Sequence, residues 1–441
     1  MAEATWFKML VGDWALRTSQ ETLNVIQRRS YTTKKAIMST CRTWSRLGIE
    51  FLYRCLFFSD PSRILRLKPI MDHNLGRRAK RLHIMRYYSG GVSNLDSLQN
   101  ALVSIIRHCP KLEIFIVNWS IADTVPVVID ALCTYCSRSL RTIHLRVPTD
   151  SLAKIIMMLE AMPKLTAAHI EFEGPLPESF HLGVASHLSL TLTTLQQLSL
   201  RGTFQEFAEQ AMEWNMPALR SLSLDFVNHR DNFPDIIEFL ERHGSQLTFL
   251  DINCIPSLEV ATILDLCPLL TTFAFNPDWH IWGSELLGIH ESSKLVNRPH
   301  ENITTIGCHQ LLYAFGVGYA KIYETTDPLV TQSVRFRNDR NFAALNKTNF
   351  PRLECIRLLN RGLLRDLEAA NGPSQGCFRR WERWWNQCCN EGIRLEDCTG
   401  NFLGTLPVDP EDEEDTDTPR DSIAMELREL LEECRRMTAT R

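Results

Sequence analysis

A short frame of apolar residues, L-x-x-L-x-L, recurs along this sequence and constrains its fold more than any other feature. Its copies are LEIFIV from Leu112, LRTIHL from Leu140, LTAAHI from Leu165, LQQLSL from Leu195, LRSLSL from Leu219, LTFLDI from Leu247, LTTFAF from Leu270, ITTIGC from Ile303, LECIRL from Leu353 and a degenerate AKRLHI from Ala79. From Leu112 to Ile303 the mean spacing is about 27 residues, which is typical of repeat units with a strand and a helix.

Each frame predicts a short strand whose fourth and sixth residues pack into a core above the first. Between the frames, apolar residues recur at helical spacing, as at Leu152, Ile155, Ile156 and Leu159, at Ile129, Leu132, Cys133 and Cys136, and at Ile236, Ile237 and Leu240. A proline just before many frames ends the helix. One unit cannot bury its own apolar face, so the units must stack. The sequence therefore predicts an α/β leucine-rich-repeat solenoid, a curved parallel sheet with convex helices. A compact α/β domain is the alternative, but its strands would be longer and less regularly spaced.

The spacing changes near the end of the array. The interval from Ile303 to Leu353 is about 50 residues, too long for one unit. Within it, LLYAFGVGYAKIY and LVTQSVRFR are interpreted as strands of a hairpin or irregular insertion. A helix over 377–390 and a strand in GIRLED are expected to cap the array. We therefore divide the chain into a tail at 1–15, a helical module at 16–60, the solenoid at 61–405 with its insertion near 304–350, and a C-terminal segment at 406–441.

The third, fifth and seventh positions of each frame should point away from the core, towards the predicted concave face. The seventh row is polar in the eight copies from Leu112 to Ile303, and such rows suit the binding of another protein. The alternative is that these positions are simply solvated. The candidate substrate-binding residues are His144, Arg146, His169, Glu171, Arg201, Asp225, Asp251 and Asn253. Arg146 and Arg201 would suit an acidic or phosphorylated ligand, although Glu171 lies between them.

A segment of large apolar residues at helical spacing precedes the repeats and needs a partner, or the end of the solenoid, to cover it. Its run AIMSTCRTW, followed by FLYRCLFFSDPSRI, resembles the second half of an F-box. The stretch from Glu21 to Ile26 lies where that family has its opening helix, but Thr18 and Ser19 stand where the family has Leu-Pro. With the repeats, the chain is similar to divergent F-box/leucine-rich-repeat proteins.

This resemblance implies a substrate receptor of a cullin-RING ubiquitin ligase. The helices would bind a Skp-type adaptor, and the repeats would hold a protein substrate. Carried over by position, the adaptor-binding residues are Leu23, Ile26, Ile37, Cys41, Trp44 and Leu47. The alternative for each is that it belongs to the core of the module. The alternative function is a repeat scaffold with a degenerate F-box and no role in ubiquitin transfer.

Composition limits the classes of partner and the cellular compartments that we expect. The net charge of −4 gives no reason to expect a nucleic-acid partner. No stretch is long and apolar enough for a membrane span or a signal peptide, and the cysteines are scattered singly, so we expect the reducing cytoplasm, the nucleus or both.

The sequence contains no motif that predicts an enzyme. Neither a phosphate-binding G-x-x-x-x-G-K-[ST] loop nor a G-x-S-x-G nucleophile motif is present. Cys133-Thr134-Tyr135-Cys136 is a single C-x-x-C without a second pair, and the histidines form no i, i+4 pair, so no metal site and no cofactor are expected. Gly316-Val317-Gly318 is a lone G-x-G.

The C-terminal segment changes composition sharply. PEDEEDTDTPRD is strongly acidic and is expected to be a disordered linker. Beyond it, Ile423, Leu427, Leu430, Leu431 and Cys434 predict an amphipathic helix.

Overall fold

The computed structural model describes most of the chain. The described residues are 30–58, 63–71, 75–84, 95–117, 125–174, 182–226, 236–253, 260–278, 295–318, 320–360, 363, 375–397 and 400–404. The predicted tail at 1–15, Leu23 and Ile26 of the helical module, and the C-terminal segment from 406 onwards lie outside them.

The described strands form one parallel sheet of 12 strands, in which spatial order equals sequence order. The strands are β1 Cys55–Phe58, β2 Arg81–Ile84, β3 Ile114–Val117, β4 Thr142–Pro148, β5 Ala167–Glu173, β6 Gln197–Gly202, β7 Ser221–Asp225, β8 Phe249–Ile252, β9 Thr272–Phe275, β10 Thr305–Cys308, β11 Cys355–Leu358 and β12 Arg394–Glu396. Each copy of the frame supplies one strand, and each strand pairs in parallel with its neighbours in the sequence. A stacked repeat array is consistent with this order.

Helices alternate with most of the strands. They are α1 Arg42–Tyr53, α2 Ile64–Met71, α3 Leu95–His108, α4 Val125–Cys136, α5 Leu152–Glu160, α6 Gln205–Met212, α7 Ile236–His243, α8 Val260–Leu266, α9 Leu312–Phe315, α10 Ala320–Thr326, α11 Pro328–Ala343 and α12 Gln375–Glu391. Residues 30–38 are also helical, and a short 3-10 helix, Gly183–His187, lies between β5 and β6. The helices predicted from spacing are confirmed as α4, α5, α7 and α12, and α3, α5 and α8 each end shortly before a proline. Among the described residues, no helix combines the length and the apolarity that crossing a membrane would require.

The core lies between the sheet and the helices. In the repeat that contains β4, Leu140, Ile143 and Leu145 occupy the first, fourth and sixth frame positions, and all three are buried. The buried residues of α5 contribute to the same continuous cluster. Burying each such side chain contributes roughly 1.5–3 kcal/mol, so the periodic leucines supply most of the driving force for stacking.

The interval before the last copy of the frame is helical, and the predicted strands in LLYAFGVGYAKIY and LVTQSVRFR are wrong. The first run contains α9 and most of α10, and the second lies within α11. The Asp327 side chain caps α11 by accepting a hydrogen bond of 3.2 Å from the Val330 amide, and Pro328 occupies the first turn. Both residues are favourable there, because the first turn of a helix has unpaired amides.

The C-terminal edge of the sheet is covered on both its core side and its outer side. Helix α12 buries Trp381 and Trp384, and the Trp384 ring stacks on Phe342 of α11 with centroids 4.1 Å apart. Residues 400–404 lie along the outer edge of β12, where the Leu403 amide donates a hydrogen bond of 2.8 Å to the Leu395 carbonyl. A covered edge strand cannot pair with another chain.

The N-terminal edge is also occupied. The Tyr31 hydroxyl donates to the Cys55 carbonyl and accepts a hydrogen bond of 3.2 Å from the Phe57 amide. These two backbone groups of β1 therefore already have a hydrogen-bond partner. The boundary predicted at residue 60 therefore lies after the first strand of the sheet.

Candidate functional site

We call the sheet face that carries the third, fifth and seventh frame positions the outward face. The strand register aligns its fifth positions into one row across the sheet. That row reads Phe57, His83, Ile116, His144, His169, Ser199, Ser223, Asp251, Ala274, Gly307, Arg357 and Glu396. Neighbouring strands lie about 4.8 Å apart, so adjacent side chains in a row contact one another.

The charged side chains of the seventh row pair with one another. Arg146 Nε lies 3.6 Å from Glu171 Oε1, and the same guanidinium also pairs with Glu173 at the end of β5. Arg201 Nε lies 3.1 Å from Asp225 Oδ2. Burial raises the pKa of Asp225, and the charge of Arg201 acts against that shift. These pairs order the side chains of the centre of the face.

Two histidines lie side by side in the fifth row. The His144 and His169 rings approach edge to face with centroids 3.9 Å apart, and Nδ1 of His169 lies 2.7 Å from the Ser199 hydroxyl. Burial lowers the pKa of His169 to about 3, with a smaller effect from Arg201. Burial, followed by the neighbouring His169, also lowers the pKa of His144 well below its usual value. Both imidazoles are therefore neutral near pH 7.

A hydrogen-bonded group lies further along the same face. Asp251 is buried in the fifth row, where its carboxylate lies 2.6 Å from Nε2 of His309 and accepts a bond of 3.0 Å from the Ser223 hydroxyl. The Asn253 amide donates to Asp225 at 3.2 Å. The eight candidate substrate-binding residues thus form a continuous set from β4 to the residue after β8. Their assignment to substrate binding stays a prediction.

Other polar residues of the fifth row lie outside the predicted set, separated from it by Ile116 at one end and by Ala274 and Gly307 at the other. His83 on β2 is buried, and its Nδ1 lies 3.2 Å from a terminal nitrogen of Arg81. At the other end, Arg357 Nη2 pairs with buried Glu396 at 2.8 Å. The frame contained the signal for both, because counting to the fifth position of AKRLHI and LECIRL identifies His83 and Arg357.

The predicted adaptor-binding residues that can be placed lie on or beside α1. Trp44 and Leu47 are 54% and 55% exposed, and Ile37, in the preceding helix, is 43% exposed. Cys41 is exposed and forms the N-cap of α1, where its sulfur accepts from the Trp44 amide at 3.5 Å. Phe51, which the sequence analysis did not select, is 56% exposed. Its spacing from Leu47 should have identified it.

The C-x-x-C and G-x-G motifs have local structural roles. Cys136 is buried in α4 and donates to the Cys109 carbonyl at 3.5 Å, and burial raises the pKa of its thiol to about 12. Gly316 and Gly318 both have positive φ, at 60° and 58°, in the turn between α9 and α10. Glycine adopts that conformation without strain.

The outward face can offer imidazole nitrogens, carboxylates and hydroxyls to a ligand. Side chains from neighbouring strands, which are far apart in the sequence, create this combination. In comparisons with known proteins, no protein-family model matches this chain, and no curated protein matches its sequence.

Proposed function

We propose that this protein is the substrate-recognition subunit of a ubiquitin ligase. In this proposal, the 12-stranded array is a leucine-rich-repeat solenoid, and its outward face is concave and binds a protein target. The N-terminal helices are an F-box-type module that binds a Skp-type adaptor of a cullin-RING ligase. The chain itself has no catalytic role and acts in the cytoplasm, the nucleus or both.

The observation that carries the proposal is the exposed apolar face of α1. Trp44, Leu47 and Phe51 follow one another at intervals of one helical turn, so they lie on the same side of the helix. More than half of each side chain is accessible. Covering a large apolar side chain contributes roughly 1.5–3 kcal/mol, so this face favours a protein partner.

The resemblance to an F-box supports the choice of that partner. The exposed residues fall in the run AIMSTCRTW and immediately after it, which carries the resemblance. Their positions fit adaptor binding better than the alternative, in which Ile37, Trp44 and Leu47 belong to the core of the module.

The outward face supports the second half of the proposal. Its charged groups are held by neighbours on adjacent strands, as Arg201 is by Asp225. Ordered charges suit recognition of a protein surface, because little side-chain entropy is lost on binding. The cysteines that the structure describes are all free, which is typical of a reducing compartment.

Co-purification with a Skp-type adaptor tests the proposal. The full chain should bind the adaptor in equal amounts, and Leu47→Asp should weaken binding by at least about tenfold, because a charge replaces a buried apolar contact. Leu329→Asp is the matched control, since Leu329 on α11 is also strongly exposed, at 74%. The proposal fails if the wild-type chain does not bind the adaptor at micromolar concentration, or if Leu47→Asp binds as well as the control.

A repeat scaffold without a ubiquitin role is the second candidate. It is favoured by Thr18 and Ser19, which replace the Leu-Pro of the F-box family. It predicts that the folded wild-type chain ignores the adaptor.

A further inference from the structure

We propose that His144, His169 and Glu171 bind a zinc ion on the outward face of the sheet. The sequence predicted no metal site, because it has a single C-x-x-C and no histidine pair at helical spacing. This inference goes beyond the proposed function and does not depend on it, since adaptor binding is assigned to the N-terminal helices.

The strand register brings the three residues together. His144 on β4 is the direct partner of His169 on β5, and Glu171 lies two residues beyond His169 on the same face. One ligand atom from each residue lies within 4.8 Å of the others. Ligands around tetrahedral zinc are about 3.3 Å apart, so small side-chain rotations close the site. The fourth position remains for water or a partner's side chain.

The chemistry of the donors selects the metal. Two imidazole nitrogens and one carboxylate are a ligand set that zinc accepts, whereas calcium and magnesium prefer oxygen ligands. Both imidazoles are in the neutral form that binds metal. The Ser199 hydroxyl next to Nδ1 of His169 orients that ring, as hydrogen bonds behind metal-bound histidines do.

The neighbouring arginines do not neutralise all of the negative charge at the site, because each also pairs with a carboxylate outside the three proposed ligands. Arg146 pairs with Glu173, and Arg201 pairs with Asp225 at 3.1 Å. Arg146 Nε also lies 3.6 Å from Glu171 Oε1, so the two arginines face the three carboxylates of Glu171, Glu173 and Asp225. The group therefore keeps one net negative charge beside two neutral rings. A divalent cation would be attracted to that charge.

Calorimetric titration of the full-length, chelator-treated protein with zinc chloride tests the site. We expect one zinc ion per chain at micromolar affinity or tighter. His144→Gln, His169→Gln and Glu171→Gln should each weaken binding at least about tenfold. His187→Gln is the matched control, since it removes an exposed histidine outside the cluster. Cobalt(II) titration should give the visible absorption of a tetrahedral site in wild type and in the control, and lose it in the three variants.

The Glu171→Gln variant distinguishes a loss of zinc binding from a loss of folding. Glu171 is only partly buried and glutamine has nearly the same shape, so this variant should fold even if His144→Gln does not, as far-UV circular dichroism will show. The site is refuted if the wild-type protein takes up no zinc. It is also refuted if Glu171→Gln and His169→Gln, both folded, bind zinc as tightly as the control, because other residues would then hold the ion.

Discussion

The regular part of the sheet, from β3 to β10, differs from the C-terminal part, from α9 to β12, in what holds its elements together. In the regular part, each strand and helix packs on the equivalent elements of adjacent repeats through apolar residues at fixed frame positions. In the C-terminal part, three helices separate two neighbouring strands, and specific polar contacts fix their positions. The comparison shows that a periodic sequence pattern determines the fold only where the elements pack on the equivalent elements of adjacent repeats.

Two acidic residues organise the C-terminal part. Buried Asp278, just after β9, accepts bonds from the amide groups of Leu312 at 2.5 Å, Tyr313 at 3.3 Å and the Asn338 side chain at 2.7 Å. Asp339 accepts from Arg380 at 2.9 Å and from the Trp384 indole at 3.2 Å. The first group attaches α9 and α11 to the sheet, and the second attaches α11 to α12.

The largest effect should come from removing a buried tryptophan in each part. Trp384→Ala should cost about 4 kcal/mol, because it removes the stacking on Phe342 and leaves a cavity. Trp214→Ala, in the regular part, should cost about 3 kcal/mol, since the Trp214 indole packs on Phe207 but its nitrogen has no partner among the described residues. Urea denaturation measures both.

Hydrogen exchange then sharpens the comparison. Trp384→Ala should accelerate exchange in α11, α12 and β12 and leave the regular part protected, because repeats contact only their neighbours. Trp214→Ala should accelerate exchange in α6, α7 and the adjacent strands. Uniform acceleration in both variants would show that the two parts unfold as one unit.

Asp278→Ala should have the next largest effect, about 3 kcal/mol in urea denaturation, because the buried Asn338 amide and two backbone amides lose their acceptor. Asp278→Asn is the control for side-chain volume and should cost less, since one oxygen remains. The interpretation is wrong if alanine is tolerated as well as asparagine.

The smallest effect is a response to acid that has opposite signs at His83, on β2, and at Asp278, which attaches α9 and α11 to the sheet. Burial, with a smaller effect of Arg81, lowers the pKa of His83 to about 3, below its ordinary 6.5, so the unfolded state binds the proton first and stability falls as the pH drops below 6.5. Burial raises the pKa of Asp278 to about 6 from its ordinary 3.8, so the folded state binds the proton first and its stability contribution grows as the pH falls from 6 to 3.8. Each slope is about 1.4 kcal/mol per pH unit.

Urea denaturation at pH 7.5 and pH 5 tests both signs. His83→Gln should lose less stability than wild type on acidification, and Asp278→Asn should lose more. Equal losses in all three proteins would mean that neither group carries the shift.

Prediction from the sequence was more successful in the regular part of the sheet than in the C-terminal part. The frame predicted the strands from β2 to β11 because its first, fourth and sixth residues are buried in every copy, and β12 was predicted separately from GIRLED. It failed at α11, whose buried positions are Thr331, Val334, Asn338 and Phe342. Two of these four are polar, so hydropathy shows no helical stripe. The Asp327-Pro328 pair was the available signal for a helix start.

The sequence predicted which residues of the candidate site share a row, but not which of their side chains pair with one another. Counting frame positions places His144 beside His169 once the register is known. That Arg146 pairs with both Glu171 and Glu173 depends on β5 extending two residues past the seventh frame position. No local spacing in the sequence encodes that extension.

The identity between strand order and sequence order has a consequence for how the chain is made. As synthesis proceeds, each new strand finds its hydrogen-bonding partner already present on the N-terminal side. Most of the sheet can therefore grow behind the ribosome without waiting for distant segments. The exception is β11, whose residue Cys355 pairs with Thr305 from 50 positions earlier. Since loop closure slows with separation, we expect co-translational folding to pause there until α9, α10 and α11 have formed.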